Sequence, residues 1–176
     1  GGNASRSVYF TRFLAHRVTS AIVALGETIK EASNNHLLTM VFYGYLFSLD
    51  FDPASGHNSM QRLLSSPVVD ILSGPYSYGE SRTLDIGFRP HGPADAAAAW
   101  GKMHIHEDDT RTVLYNASSN QSPGNHRMTN LSDTVTMIKR NGLTAALRGN
   151  GLYYFDLFGD GWFGQPSRPV ESAGMW

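Results

Sequence analysis

The sequence predicts an α/β fold with a parallel sheet. Three observations carry this reading: a long amphipathic helical pattern near the start, four short apolar or aromatic runs that alternate with helical segments, and long polar loops after the runs. Alternation of this kind builds strand-helix units whose strands lie side by side in one direction.

Residues 8–32 carry apolar side chains at Phe10, Phe13, Leu14, Val18, Ile22, Leu25 and Ile29, with Glu27, Lys30 and Glu31 on the opposite side. That spacing is helical, and one face of the helix must be buried. "SNNH" breaks it. The run "LLTMVFYGYLFSL" at 37–49 is nearly all apolar or aromatic, as expected of a strand covered on both faces. A loop and a short helical segment through Met60, Leu63 and Leu64 lead to a second strand, "VVDIL", at 68–72. The stretch "SGPYSYGESRTLDIGFRPHGP" is too long for a simple connection, and loops of that length tend to be functional. "ADAAAAWG" reads as a short helix and residues 102–107 as a third strand. After a second polar loop, Asn130 or Ser132 can cap a helix bearing Leu131, Val135, Ile138, Leu143, Ala146 and Leu147. "GNG" stops that helix before a fourth strand, "LYYFDLF", at 152–158.

Bulk composition narrows the function classes. A chain of 176 residues with 41% hydrophobic content can bury one sizeable core, and the expectation is a single domain over 1–176. A net charge of −1 supplies no basic field for phosphates, so nucleic acid is not an expected partner. No apolar run reaches the roughly 18 residues of a membrane helix, so no membrane partner is expected either. The chain has no cysteine, and its first residues lack a signal-peptide pattern, which together favour a reducing, cytoplasmic compartment. No phosphate-binding loop appears, since Gly149 and Gly151 stop a helix before a strand rather than the reverse, and no cofactor is expected.

In parallel sheets ligands gather at the carboxyl ends of the strands. Those ends carry Tyr43, Tyr45 and Asp50, then Tyr76 and Tyr78, then Glu107 to Arg111, then Asp156, Asp160 and Trp162. The run "KMHIHEDDTRT" places three consecutive acids at this rim. Aromatic faces stack on sugar C–H faces while carboxylates accept from hydroxyls, so a carbohydrate is the expected partner. Carboxylates also catalyse glycosidic cleavage, one ionised and one protonated. Glu107 is the leading candidate because a strand end holds a group more rigidly than a loop. Arg111, Tyr76 or Tyr78 is expected to keep it ionised. Two plainer readings stand beside this one. "EDD" after a strand is also what a solvated turn looks like, and Tyr43, Tyr45, Tyr153, Tyr154 and Phe155 also fit core packing. His104, His106 and Asp108 share one strand face, which leaves a metal-dependent hydrolase as a further alternative.

Four stretches then align with something known. "VFYGYLFSL", "SSPVVDILSGPYSYGESR", "WGKMHIHEDDTRT" and "NGLTAALRGNGLYYFDLFGDGWF" resemble, in the same order, the second half of the catalytic barrel in bacterial β-galactosidase-like glycoside hydrolases, relatives of family 42 in the clan of retaining (β/α)8 enzymes. The motifs "GPYSY" and "EDDTRT" carry most of the resemblance. It implies a parallel (β/α)4 half of a TIM-type barrel, strands five to eight, with Glu107 the nucleophile at the end of the seventh. Asp108 and Asp109 are the next candidates for that position. From their position on the rim, Asp109 and Arg111 are expected to order the site, Tyr76 and Tyr78 to bond the nucleophile or the sugar, and Tyr43, Asp156, Asp160 and Trp162 to line the substrate. The family's acid/base glutamate, on the fourth strand, would precede residue 1, and a full barrel runs to about 250 residues. The expectation is therefore half an enzyme, with a homo-oligomer covering two open sheet edges. The alternative is a non-catalytic carbohydrate-binding or assembly module that keeps the fold.

Overall fold

A computed structural model describes residues 2–47, 55–115, 127–157, 159, 161–165 and 168–169. Helix α1 spans Gly2–Ala32, followed by β1 (Met40–Phe42), α2 (Met60–Leu64), β2 (Ile71–Pro75), a single 3-10 turn (Gly79–Arg82) and α3 (Ala94–Ala99). Then come β3 (Met103–Asp108), α4 (Leu131–Leu147), β4 (Gly151–Tyr154) and a small antiparallel hairpin of β5 (Gly164–Gln165) and β6 (Arg168–Pro169). Strands β1 to β4 form one all-parallel sheet in sequential order, so the predicted α/β class with a parallel sheet holds. β1 and β2 register as Met40 on Ile71, Val41 on Leu72 and Phe42 on Ser73. The hairpin and the 3-10 turn were not expected from the sequence.

The chain divides into two compact units, Gly1–Gly74 with Pro90–Ile105 and Pro75–Arg89 with His106–Trp176. In the first, Tyr43, Met60, Leu63, Leu64, Val69, Leu72 and Ala97 form the core, with Val18, Ile22 and Val23 of α1 packed against it. The buried line of α1 runs through small residues, Ala15, Thr19 and Gly26, rather than through the large ones. A Cβ on Gly26 would stand 2.8 Å from Val68 Cγ2 and 3.1 Å from the Val68 carbonyl, so the glycine sets how closely the helix approaches. Phe10, Phe13 and Leu25, expected on the buried face, are instead 58%, 61% and 65% exposed.

The strand expected over 37–49 is shorter than its apolar content suggested. Gly44 adopts φ +90 and the Leu46 amide turns back to the Gly44 carbonyl at 2.6 Å, so the ladder ends after Phe42. β2 begins later and ends later than 68–72, because Asp70 is engaged before the strand starts: its carboxylate accepts from the Thr39 amide at 2.7 Å and from Lys30 Nζ at 2.6 Å. In the second unit, Ile138 packs with Val135 and Phe163. Asn130 is the cap of α4, its side chain accepting from the Asp133 amide at 2.9 Å, and Gly149 (φ +68) turns the chain out of the helix.

Candidate functional site

One side-chain row of β3 is buried throughout, and it continues one residue pair past the strand end. His104, His106, Asp108 and Thr110 are all at or below 4% exposure, whereas Met103 is 51% exposed. The buried row contacts α4: Asn141 Nδ2 donates to Asp108 Oδ2 at 3.0 Å, and Asp108 Oδ1 accepts from both the amide (3.0 Å) and the hydroxyl of Thr110. Tyr76 completes this group through a 2.6 Å hydroxyl contact with Thr110. Burial pushes the Asp108 carboxyl up and the Tyr76 phenol up to about 12. Asp108 thus joins a satisfied buried network, and such networks hold a strand end rigid.

Two further acids, Glu107 and Asp109, flank this network. Glu107 is buried, and its Oε2 accepts a 2.7 Å hydrogen bond from the Tyr153 hydroxyl on β4. Burial raises its pKa and the nearby charge of Asp109 adds to the rise, while the Tyr153 bond and the Arg82 charge oppose it. Asp109 follows the strand. Its Oδ1 is ion-paired to Arg82 Nη2, its Oδ2 accepts from the Tyr78 hydroxyl at 3.0 Å, and its carbonyl accepts from Arg82 Nη1 at 3.1 Å. The Arg82 guanidinium lies 4.1 Å from the ring centroids of both Tyr76 and Tyr78 and also donates to the Tyr76 carbonyl at 3.1 Å. Its side chain is 2% exposed. Burial, then the Asp109 charge, pushes the Tyr78 phenol well above its usual value, so it stays a neutral donor.

Glu107, Asp109, Tyr76 and Tyr78 are therefore brought together, as expected. Other expectations take a different form. Arg111 does not serve as the cation of this group: its guanidinium stands 5.1 Å from the Tyr115 ring, and Arg82 occupies the place beside Asp109. Trp162 is 1% exposed with its ring edge-on to Tyr115 at 5.1 Å, so it offers no open face for stacking on a sugar. Asp156 accepts from the amides of Gly161 (2.6 Å) and Trp162 (2.9 Å) and shapes that turn. Tyr43 belongs to the core of the first unit, its hydroxyl donating to the Gly56 carbonyl at 2.6 Å and accepting from the Ser59 amide at 2.9 Å. Asp160 and Asp50 lie outside the described residues.

Arg82 and Tyr153 were not singled out as site residues from the sequence. For Arg82 the signal was present: an arginine four and six residues after two tyrosines in "YSYGESR", within reach of both rings once the 3-10 turn forms. Tyr153 sat inside an apolar run and read as packing. Among the described residues no group of three or more His, Cys, Asp or Glu is arranged to hold a metal, and no helix is long and apolar enough to cross a membrane. An apolar cavity of about 190 Å³ lies in the first unit between α1 and β1, lined by Ile22, Leu25, Met40, Val41 and Val68. Its lining presents no titratable group. No family model, curated protein or solved structure matches the chain.

Proposed function

We propose that the chain is a (β/α)4 half of a TIM-type barrel, β1 to β4 standing for strands five to eight, from a β-galactosidase-like glycoside hydrolase, and that it acts on β-linked sugars by a retaining two-carboxylate mechanism. The observation that carries this reading is the buried Glu107 at the carboxyl end of β3, bonded by Tyr153 and flanked by the Asp109–Arg82–Tyr78 group. Burial raises the Glu107 pKa, the direction that lets a carboxyl hold a proton, one of the two states that glycosidic cleavage demands. Neutral phenols beside carboxylates also supply the donors and acceptors that sugar hydroxyls need. Glu107 is one of the two carboxylates.

Hydrolysis of an aryl β-galactoside tests the reading. Glu107→Gln is expected to lower turnover by a factor on the order of 100 or more. Unchanged turnover removes Glu107 from the chemistry. Saturable galactose binding without any turnover would instead favour a carbohydrate-binding module. The strand order leaves β1 and β4 at the sheet edges, and Met40 and Phe42 on β1 are 47% and 44% exposed. The proposal accordingly includes a homo-oligomer that covers these edges, checked by sedimentation of the purified chain.

A further inference from the structure

The core takes only one side of α1. Ala15, Thr19 and Gly26 are buried, whereas Phe10, Phe13, Leu25 and Ile29 are exposed. Leu25 and Ile29 line the apolar cavity between α1 and β1, together with Met40. Met40 and Phe42 are themselves exposed on β1, the first strand of the sheet, whose second edge meets no strand among the described residues. Helix stripe, cavity mouth and sheet edge therefore form one apolar surface within the first unit. Single exposed apolar residues are ordinary, but a contiguous set marks a contact surface. Phe10, Phe13, Leu25, Ile29, Met40 and Phe42 are 41–65% exposed. That leaves on the order of 500 Å² of apolar area, or about 800 Å² per partner once a polar rim is included, the size of a stable interface.

Charge decides what can cover this surface. The first half of α1 carries exposed Arg6, Arg12 and Arg17 and no acid. The second half carries exposed Glu27 and Glu31, and its lysine, Lys30, is engaged by Asp70 and by the Leu37 carbonyl. A helix that is basic at one end and acidic at the other complements a second copy of itself laid antiparallel and repels one laid parallel. The strand edge obeys the same symmetry. When two free β1 edges meet antiparallel, Val41 faces Val41 of the second copy and Met40 faces its Phe42. Helices on one face of the two sheets then lie side by side and antiparallel, so one two-fold axis satisfies both elements.

We propose that α1 and the free edge of β1 are the interface of a two-fold symmetric dimer, with Phe10 and Phe13 of one copy seated over the cavity between α1 and β1 of the other. The inference rests on the homo-oligomer of the proposed function, which it deepens by naming the surface and the symmetry, and it is independent of the glycosidase chemistry.

Sedimentation of the full chain across the micromolar range tests it. The parent chain should sediment at twice the mass of one chain, and Leu25→Glu should weaken the dimer by on the order of 100-fold, because a charge would be buried at the centre of the contact. Leu25 is 65% exposed, so the variant should keep the parent's thermal melt. A Leu25→Glu dimer as tight as the parent's overturns this interface and leaves a homo-oligomer built elsewhere. A parent chain that is monomeric at every concentration overturns the interface and the homo-oligomer together, assigns the apolar face to a different partner, and leaves the glycosidase reading to Glu107→Gln. Orientation has its own measurement, made on chains with the interface intact. The sequence has no cysteine, so spin labels on Ser7→Cys and on Ala24→Cys are each unique. An axis crossing α1 near its middle sets the two labels at residue 7 roughly 40 Å apart and those at residue 24 within about 20 Å. Short distances at both positions mean parallel helices and overturn the proposal.

Discussion

The Tyr153 hydroxyl donates a 2.7 Å hydrogen bond to Oε2 of Glu107, tying the middle of β4 to the last turn of the pleat in β3. This bond favours the ionised carboxylate and opposes the burial that raises its pKa. Tyr153→Phe therefore moves the Glu107 pKa further up. Carbon-detected NMR titration of the Glu107 carboxyl should show that upward displacement. An unmoved titration would mean that the phenol leaves the acid unperturbed.

Arg82 is a second point of leverage. With its side chain 2% exposed and its partner Asp109 12% exposed, removing the cation strands a poorly solvated carboxylate. Arg82→Met should lower stability in urea by about 3 kcal/mol, and Arg82→Lys should recover less than half of that. Lysine keeps the charge but cannot lie flat between Tyr76 and Tyr78 while reaching two carbonyls. A loss below about 1 kcal/mol for Arg82→Met would show that the ion pair contributes little.

Asp108 and Asn141 make a contrasting pair of substitutions. Burial raises the Asp108 pKa above 3.8, so its charged form is disfavoured in the fold, and its contribution to stability falls as pH rises from the unfolded value through the folded one. Asp108→Asn does not titrate and escapes that loss, so relative to the parent it should gain as pH rises, but it should still cost about 1 kcal/mol at pH 7, because Asn141 Oδ1 accepts from Arg140 and its amide cannot flip toward residue 108 without losing those bonds. Asn141→Ala leaves Asp108 Oδ2 without its donor and should cost about 2 kcal/mol. Thermal melts of both variants across pH decide the order.

His104 adds an acid-side dependence. Burial pushes its imidazole from 6.5 down to about 4, so the unfolded chain binds this proton more readily than the fold does. Its contribution is complete above pH 6.5 and is lost as pH falls toward 4, by on the order of 1–3 kcal/mol. Urea midpoints between pH 7 and pH 4.5 should drop accordingly, and His104→Gln, which takes no proton, should flatten the slope. An identical slope in the variant would assign the loss to other groups.

Helix periodicity and strand order were legible because α1, α3 and α4 obey local rules, down to the Asn130 cap. Strand ends were not, since apolar content cannot report the Gly44 turn or the engagement of Asp70 by Lys30 and Thr39. Glu107 and Asp109 were found from their position after a strand. Their partners Arg82 and Tyr153 lie 27 residues from Asp109 and 46 from Glu107, separations that exceed any helical or strand period and close only when the intervening chain folds back. The face of α1 was misjudged for a related reason: size marked Phe10 and Phe13 as core, but close approach at Gly26 selects the small residues beside it.

The two-residue side-chain period of β3 sets how this chain can change over generations. Many single replacements at its exposed position, Met103, leave the pleat as it is. Loss or gain of one codon between Met103 and Asp108 does not, because it would exchange the buried row of His104, His106 and Asp108, the last bonded to Asn141 of α4, with the row that carries Met103, Ile105 and Glu107. Homologous genes should accordingly vary in letter but not in length across this hexapeptide, with insertions accumulating in the loops on either side.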